Sequence, residues 1–257
     1  MHRFQEIIPI IGVFVGTLVL VLTAVELGYR WARHRQASQE LEKEAPVAAM
    51  VAATLGLLAF LLTFTFGIAL DAYHARKLAL VEEANAIRMT YRASDLIPEA
   101  PRAEIRGVLR QYVDERLRWA NGEADLRGAS ANELLDRLWT AARVVGAKNP
   151  GSVDVFLTYV GQVIELRSER LDVREQSRIP LAYWVTLFII AFLAFSGVGY
   201  HGGVAGTRRS PVMLAVALAF SAVIMVIVDM DRPEEGFIDV SQAPMVHLRT
   251  ELARSNP

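Results

Sequence analysis

Four acidic residues crowd the stretch "DMDRPEEG": Asp229, Asp231, Glu234 and Glu235, immediately after an apolar run. Three kinds of chemistry suit such a group. Charge with Pro233 behind it ends a helix, because proline cannot continue the backbone ladder. Carboxylates at a membrane interface can pair with cations, here Arg76, Lys77 or Arg178, and clasp the following tail to a neighbouring helix. Oxygen ligands can also collect a hard cation such as Ca²⁺, although the spacing departs from an EF-hand loop. All three readings stand at this stage.

Two further groups could act. "LVEEANAI" puts Glu82, Glu83 and Asn85 on a helix, with Glu82 and Asn85 sharing a face. A solvated face is expected there. Asn85 is unfavourable mid-helix, which points to a specific hydrogen bond. Phe60 and Phe64 lie one turn apart, and their stripe continues to Gly67 and Asp71. Apolar rings of this kind can gate a pore by dewetting, or they can face lipid. The five histidines show no metal-ligand spacing, and neither a Walker A sequence nor G-x-S-x-G occurs. "GVGYHGG" lies at the end of an apolar segment, not between a strand and a helix. No cofactor, catalytic residue or enzyme class is expected.

The elements that must position these residues are membrane-spanning. Apolar residues make up 53% of the 257, and no cysteine is present, which excludes disulfides and thiolate chemistry. Basic and acidic residues balance at 27 and 28, so no basic field suggests nucleic acid. Four charge-free segments, Ile7–Val25, Ala45–Leu70, Ile179–Tyr200 and Ser210–Val228, are each long enough to cross a bilayer. The first is too long for a signal-peptide core, and is read as a retained span.

The fold class is therefore all-α: a polytopic membrane protein with two spans, a helical water-facing insert forming a stalk or bundle, and two more spans. The expected divisions are 1–70 (spans about 7–27 and 46–70), 71–178, 179–229 (spans about 180–200 and 210–228) and a tail at 230–257. Within the insert, the second span runs on to Pro98. A helix beginning near Pro101 carries the stripe Ile105, Val108, Leu109, Tyr112, Val113, Leu117 and Ala120, and ends at Asn121-Gly122. Ser130 with Glu133 reads as a capping box, and Leu134, Leu135, Leu138, Trp139 and Ala142 line the next face. The last insert helix covers about Ser152 to Arg178. These stripes bury against one another or against a second subunit, so a homo-oligomer is expected.

Four spans put both termini and the insert on one side of the membrane, bringing Asp229 and Asp231 to the face of Asp71 and Arg76. Positive residues in the short loops (Arg30, Arg33, Arg35, Lys43, Arg208 and Arg209, against Arg3 and Arg232) favour those loops inside.

Two stretches carry a family resemblance. One is "FGIALDAYHARKLALVEEANAI" followed by "YRASDLIPEAPRAEIRGVLRQYV". The other is "DMDRPEEGFIDVSQAP", with Arg232, Pro233, Gly236, Val240, Ser241 and Pro244. Nearly the whole chain resembles the bestrophin-like domain proteins of bacteria and plants. The name implies kinship with true bestrophins, pentameric anion channels with a helical cytosolic portion and, in animal members, an acidic calcium clasp after the fourth span. By that analogy the insert is cytoplasmic, opposite to the short-loop count. The aromatic stretch that follows the second span in bestrophins is reduced here to Tyr73. Two functions follow as expectations: a channel-like oligomer in a cell membrane, or a membrane-anchored helical scaffold or sensor whose insert binds a protein partner.

The topology is directly testable in a cysteine-free chain. Single cysteines at Ser38 and Ser130 should react with an impermeant thiol reagent from opposite sides of the membrane. Reaction of both from one side in intact cells contradicts four spans.

Overall fold

The computed structural model describes residues 10–37, 44–123, 129–148, 154–176, 178–206, 211–232 and 237–254. Among these, every α- or β-type element is an α-helix: α1 (Ile10–Ala37), α2 (Glu44–Ala93), α3 (Glu99–Ala120), α4 (Ala129–Lys148), α5 (Asp154–Gln176), α6 (Leu181–Val204), α7 (Pro211–Asp231) and α8 (Ala243–Arg254). A 3₁₀ turn, Ser94–Leu96, follows α2. The protein is all-helical, and α1, α2, α6 and α7 are each long and apolar enough to cross a membrane.

Helix ends follow backbone chemistry. Pro98 precedes α3 and Pro180 precedes α6, while Pro46 and Pro211 sit in the first turns of α2 and α7. Proline is tolerated there because a first-turn N–H has no intrahelical acceptor to lose. At the end of α3, Gly122 adopts φ 75°, the left-handed conformation that lets the chain leave a helix without a Cβ clash. Helix α1 extends beyond the expected span to Ala37, and Glu26 pairs with Arg30 one turn on at 2.6 Å. Ser130 lies inside α4, where its hydroxyl donates to Glu115 Oε1 at 2.6 Å. The expected capping box is thus replaced by a link between α3 and α4.

The chain divides into two compact units, 1–73 with 177–239, and 74–176 with 240–257. Helix α2 contributes to both. In the first unit, α1 packs on α6 and α7. Its core includes Val21, Ala24, Leu58, Ala69, Leu187, Ala191, Phe195, Phe220 and Ile224. Small residues set the approach of α1 to α6. A Cβ on Gly28 would overlap the backbone of Ser196, and one on Gly199 would overlap the backbone of Val25. Spanning helices associate by such close contact, since lipid removes the hydrophobic drive between them.

The second unit is a helical bundle. Leu80, Ala84, Ile87 and Tyr91 of α2 pack with the α3 stripe, with Leu135, Leu138 and Ala142 of α4, and with Phe156, Val160 and Val163 of α5. The α3 stripe is buried from Ile105 to Val113, while Trp139 of α4 faces outward. The tail supplies an element the sequence reading leaves as plain chain. Helix α8 inserts Met245, Leu248 and Leu252 into this same core. Its outer side is tied by Arg88 and Arg92 to Glu251 (2.8 and 3.0 Å) and by Arg249 to Asp114 (2.8 Å). The hydrogen bond from Arg88 holds the Glu251 carboxyl below its usual range.

Candidate functional site

The helices of the second unit converge on one carboxylate. Glu83 of α2 is fully buried. Its Oε1 accepts the Tyr112 hydroxyl at 2.6 Å, and its Oε2 accepts Arg116 Nε at 3.2 Å, both from α3. Arg170 of α5 places Nε 3.2 Å from the same Oε2. Trp119 lies against both guanidiniums, with ring centroid distances of 4.6 and 5.2 Å to Arg116 and Arg170. Burial pushes the Tyr112 hydroxyl well above its ordinary pKa, and the Glu83 charge adds to the effect, so the phenol stays a donor. Burial also lowers the pKa of Arg116, but guanidinium keeps its proton in proteins.

The expected solvated face therefore holds for Glu82 and fails for Glu83. Successive helical residues turn by about 100°, so Glu82 faces out while Glu83 joins the buried stripe of Leu80 and Ile87. Those two lie three residues before Glu83 and four residues after it. That spacing is the signal by which the sequence alone marks Glu83 as inward-facing. Asn85 does make a specific bond, accepting Arg88 Nη1 at 2.6 Å. The corner after α2 is fixed by Arg102 donating to Ile97 O at 2.8 Å and by Arg106 donating to Asp95 at 2.7 Å. This corner sets how α3 returns along α2, and so where Tyr112 and Arg116 meet Glu83.

The second acidic group belongs to the spanning unit. Asp229 and Asp231 are buried at the end of α7. Asp229 accepts the backbone N–H of Phe237 (2.8 and 3.1 Å to its two oxygens) and of Ile238 (2.9 Å). Asp231 accepts the N–H of Ile179 at 2.8 Å, just before α6 begins. The carboxylates thus hold the backbone on both sides of the last two spans: one the chain leaving α7, the other the chain entering α6. Arg76 and Arg178 are half-buried, Lys77 is exposed, and Arg232 continues the turn with its N–H on Val228 O at 3.1 Å. Ser241 Oγ accepts the N–H of Ala243 at the start of α8. Pro233, Glu234, Glu235 and Gly236 lie outside the described residues, and so does half of the expected cation set. Among the described residues, no group of three or more histidines and carboxylates gathers as a metal site.

The aromatic stripe lies on the part of α2 that belongs to the spanning unit. Phe60 and Phe64 are 59% and 61% exposed, and their rings lie 5.0 Å apart. Asp71, farther along the same helix, is exposed.

Comparison with known proteins decides the family. The family model described as the bestrophin-like domain matches residues 20–245. The chain belongs to the bestrophin-like domain family. Similar solved structures include a variant of a bacterial bestrophin homologue from Klebsiella pneumoniae, at 12% identity and a TM-score of 0.61, covering 95% of this chain and 98% of that one. A second structure of a Klebsiella pneumoniae bestrophin homologue, also at 12% identity, gives a TM-score of 0.59 and covers 96% and 100%. At that identity the likeness is one of fold. No curated protein matches the chain. In this bestrophin-like membrane protein the two stretches that carry the resemblance contain the two carboxylate groups: Glu83 in the first, Asp229 and Asp231 in the second.

Asp229 and Asp231 should separate on substitution. Hydrogen bonds to a charged group contribute about 1.5–3 kcal/mol. Asp229→Asn should lower the melting temperature and speed chymotryptic cleavage at Phe237, which is 75% exposed. Asp231→Asn should lower melting with little change in that cleavage, because its bond holds Ile179. Parent-like melting and proteolysis in both variants would show that neither carboxylate fastens the backbone.

Proposed function

We propose that this multi-pass protein forms a homo-oligomeric, ion-conducting assembly in the cell membrane, with the Phe60–Phe64 stripe of α2 turned to a shared axis. The observation that carries this reading is the exposure of that aromatic pair in a helix whose other face is packed. Leu58, Thr65 and Ala69 are buried on that packed face, and Phe60, Phe64 and Asp71 are left for another surface. Rings of phenylalanine around an axis form a constriction that passes ions only when wetted, and Asp71 adds a charged ring beyond it. Membership of the bestrophin-like family supports the same reading.

A second reading is a membrane-anchored scaffold. It is favoured by a groove of about 360 Å³ between α3 and α4, lined by Pro101, Glu104, Asp136, Arg137, Thr140, Ala141 and Val144. Val144 is half-exposed there, and a protein partner of the insert would find an apolar contact in it.

Planar-bilayer recording of purified protein separates the two. Conduction predicts currents from the parent, and a changed unit conductance in Phe60→Ala and Phe64→Ala with the assembly size unaltered. Electrical silence of parent and variants across several anions and cations contradicts the channel and leaves the scaffold.

A further inference from the structure

The C-terminal turns of α1 and α6 meet at close range within the spanning unit. Gly28 and Gly199 bring the two backbones together, and a Cβ on Gly203 would overlap the side chain of Ala32. Gln36 then donates to Val204 O at 3.0 Å. On this fixed pair of helices stands an aromatic platform. The ring of Trp31 lies 5.4 Å from that of Tyr200, tilted by 59°. The Arg35 guanidinium lies over the same indole, 5.8 Å from its centroid. Trp31 is nevertheless 62% exposed.

Two kinds of surface meet at Trp31. Towards the middle of the span, Val19, Leu22 and Leu27 are exposed, and no charge occurs between Ile10 and Val25. On the other side, Arg30 and Arg33 are exposed one turn apart, followed by exposed His34. Glu26 accepts from Arg30 Nε at 2.6 Å, on one edge of a guanidinium that carries five donors. Apolar surface, then indole, then guanidinium is the order in which a phospholipid presents its acyl chain, its interfacial region and its phosphate. Tryptophan and tyrosine settle at the headgroup level of a bilayer. Arginine matches phosphate with two parallel N–H bonds. Contact with bulk lipid accounts for an exposed indole. It does not account for a guanidinium held over that indole with a second beside it.

We propose that Arg30, Trp31, Arg35 and Tyr200 form a site for one anionic phospholipid, its phosphate at the guanidiniums and its acyl chain along Leu27 and Val19. The proposal is independent of ion conduction by the spanning helices.

The test uses the full-length protein in phosphatidylcholine vesicles that contain a low mole fraction of a lipid brominated on its acyl chains, either phosphatidylglycerol or phosphatidylcholine. Bromine quenches indole fluorescence on contact. The chain has four tryptophans, and subtracting the signal of Trp31→Phe isolates Trp31. Brominated phosphatidylglycerol should quench that signal more strongly than brominated phosphatidylcholine, and inorganic phosphate in the buffer should not reverse the difference. Arg30→Gln and Arg35→Gln should each lower the ratio of the two association constants by about fivefold, the weight of one arginine at an anionic membrane surface. Arg137→Gln, the same charge change at an exposed position of α4, should behave like the parent. Equal quenching by the two lipids makes Trp31 an ordinary interfacial residue and overturns the proposal. Quenching by neither shows that another copy of the chain covers this face, and also overturns it. So does a preference that phosphate abolishes, or one undiminished in both arginine variants. If neither arginine variant folds, the comparison of the two lipids on the parent decides alone.

Discussion

A carboxylate taken wholly out of water must have its lone pairs satisfied, and Glu83 meets that demand by drawing on two other helices. The apolar stripes of α2, α3 and α5 would bury in more than one register, because hydrophobic contact is non-directional. The Tyr112 hydroxyl and the Arg116 guanidinium accept only one. Tyr112 and Arg116 are four residues apart on α3, so both reach the same carboxylate from one face. The Arg102 and Arg106 bonds at the preceding corner, and the Arg88 and Arg92 pairs to α8, surround this centre with weaker and more exposed contacts. Exposed pairs of that kind contribute about 0–1 kcal/mol each.

The spanning unit solves a different problem. Its helices gain little from hydrophobicity among themselves, so they rely on close backbone approach at Gly28 and Gly199 and on aromatic contact such as Phe195 with Phe220 at 5.1 Å. Where the last span ends, backbone N–H groups of the irregular chain need acceptors. Asp229 and Asp231 supply them, and the charge is placed where three N–H groups point at it rather than in lipid. Carboxylates in apolar surroundings are costly unless they are hydrogen-bonded in this way. The same stretch therefore ends a helix and fixes the chain on both sides of it.

Much of this was legible from residue types. Charge-free length gives the four spans, and period 3.6 gives the α3 and α4 faces. Asn121-Gly122 and Pro98 give the breaks. The burial of Glu83 was hidden by its neighbour Glu82, since an acidic pair reads as solvated when its place in the Leu80–Ile87 stripe is overlooked. Helix α8 was likewise readable, because Met245, Leu248 and Leu252 recur at helical spacing, but its length of 12 residues and the Pro244 in its first turn disguise it. The backbone amides that bond Asp229 and Asp231 carry no residue signature, because every non-proline residue has the same N–H, so residue types alone point only to side-chain partners such as Arg76, Lys77 and Arg178. The Ser130 pattern matched a capping box by spacing, yet the hydroxyl found Glu115 on another helix, a tertiary choice that no local rule contains.

The central claim is that the Glu83 carboxylate holds the helical bundle together. Denaturant titration of Glu83→Gln against the parent, in detergent, measures this directly. Removing the charge while keeping the shape leaves Arg116 and Arg170 buried without their partner, and should cost roughly 3–5 kcal/mol of unfolding free energy. A variant whose unfolding free energy lies within about 0.5 kcal/mol of the parent, the range of an inconsequential surface change, would contradict the claim.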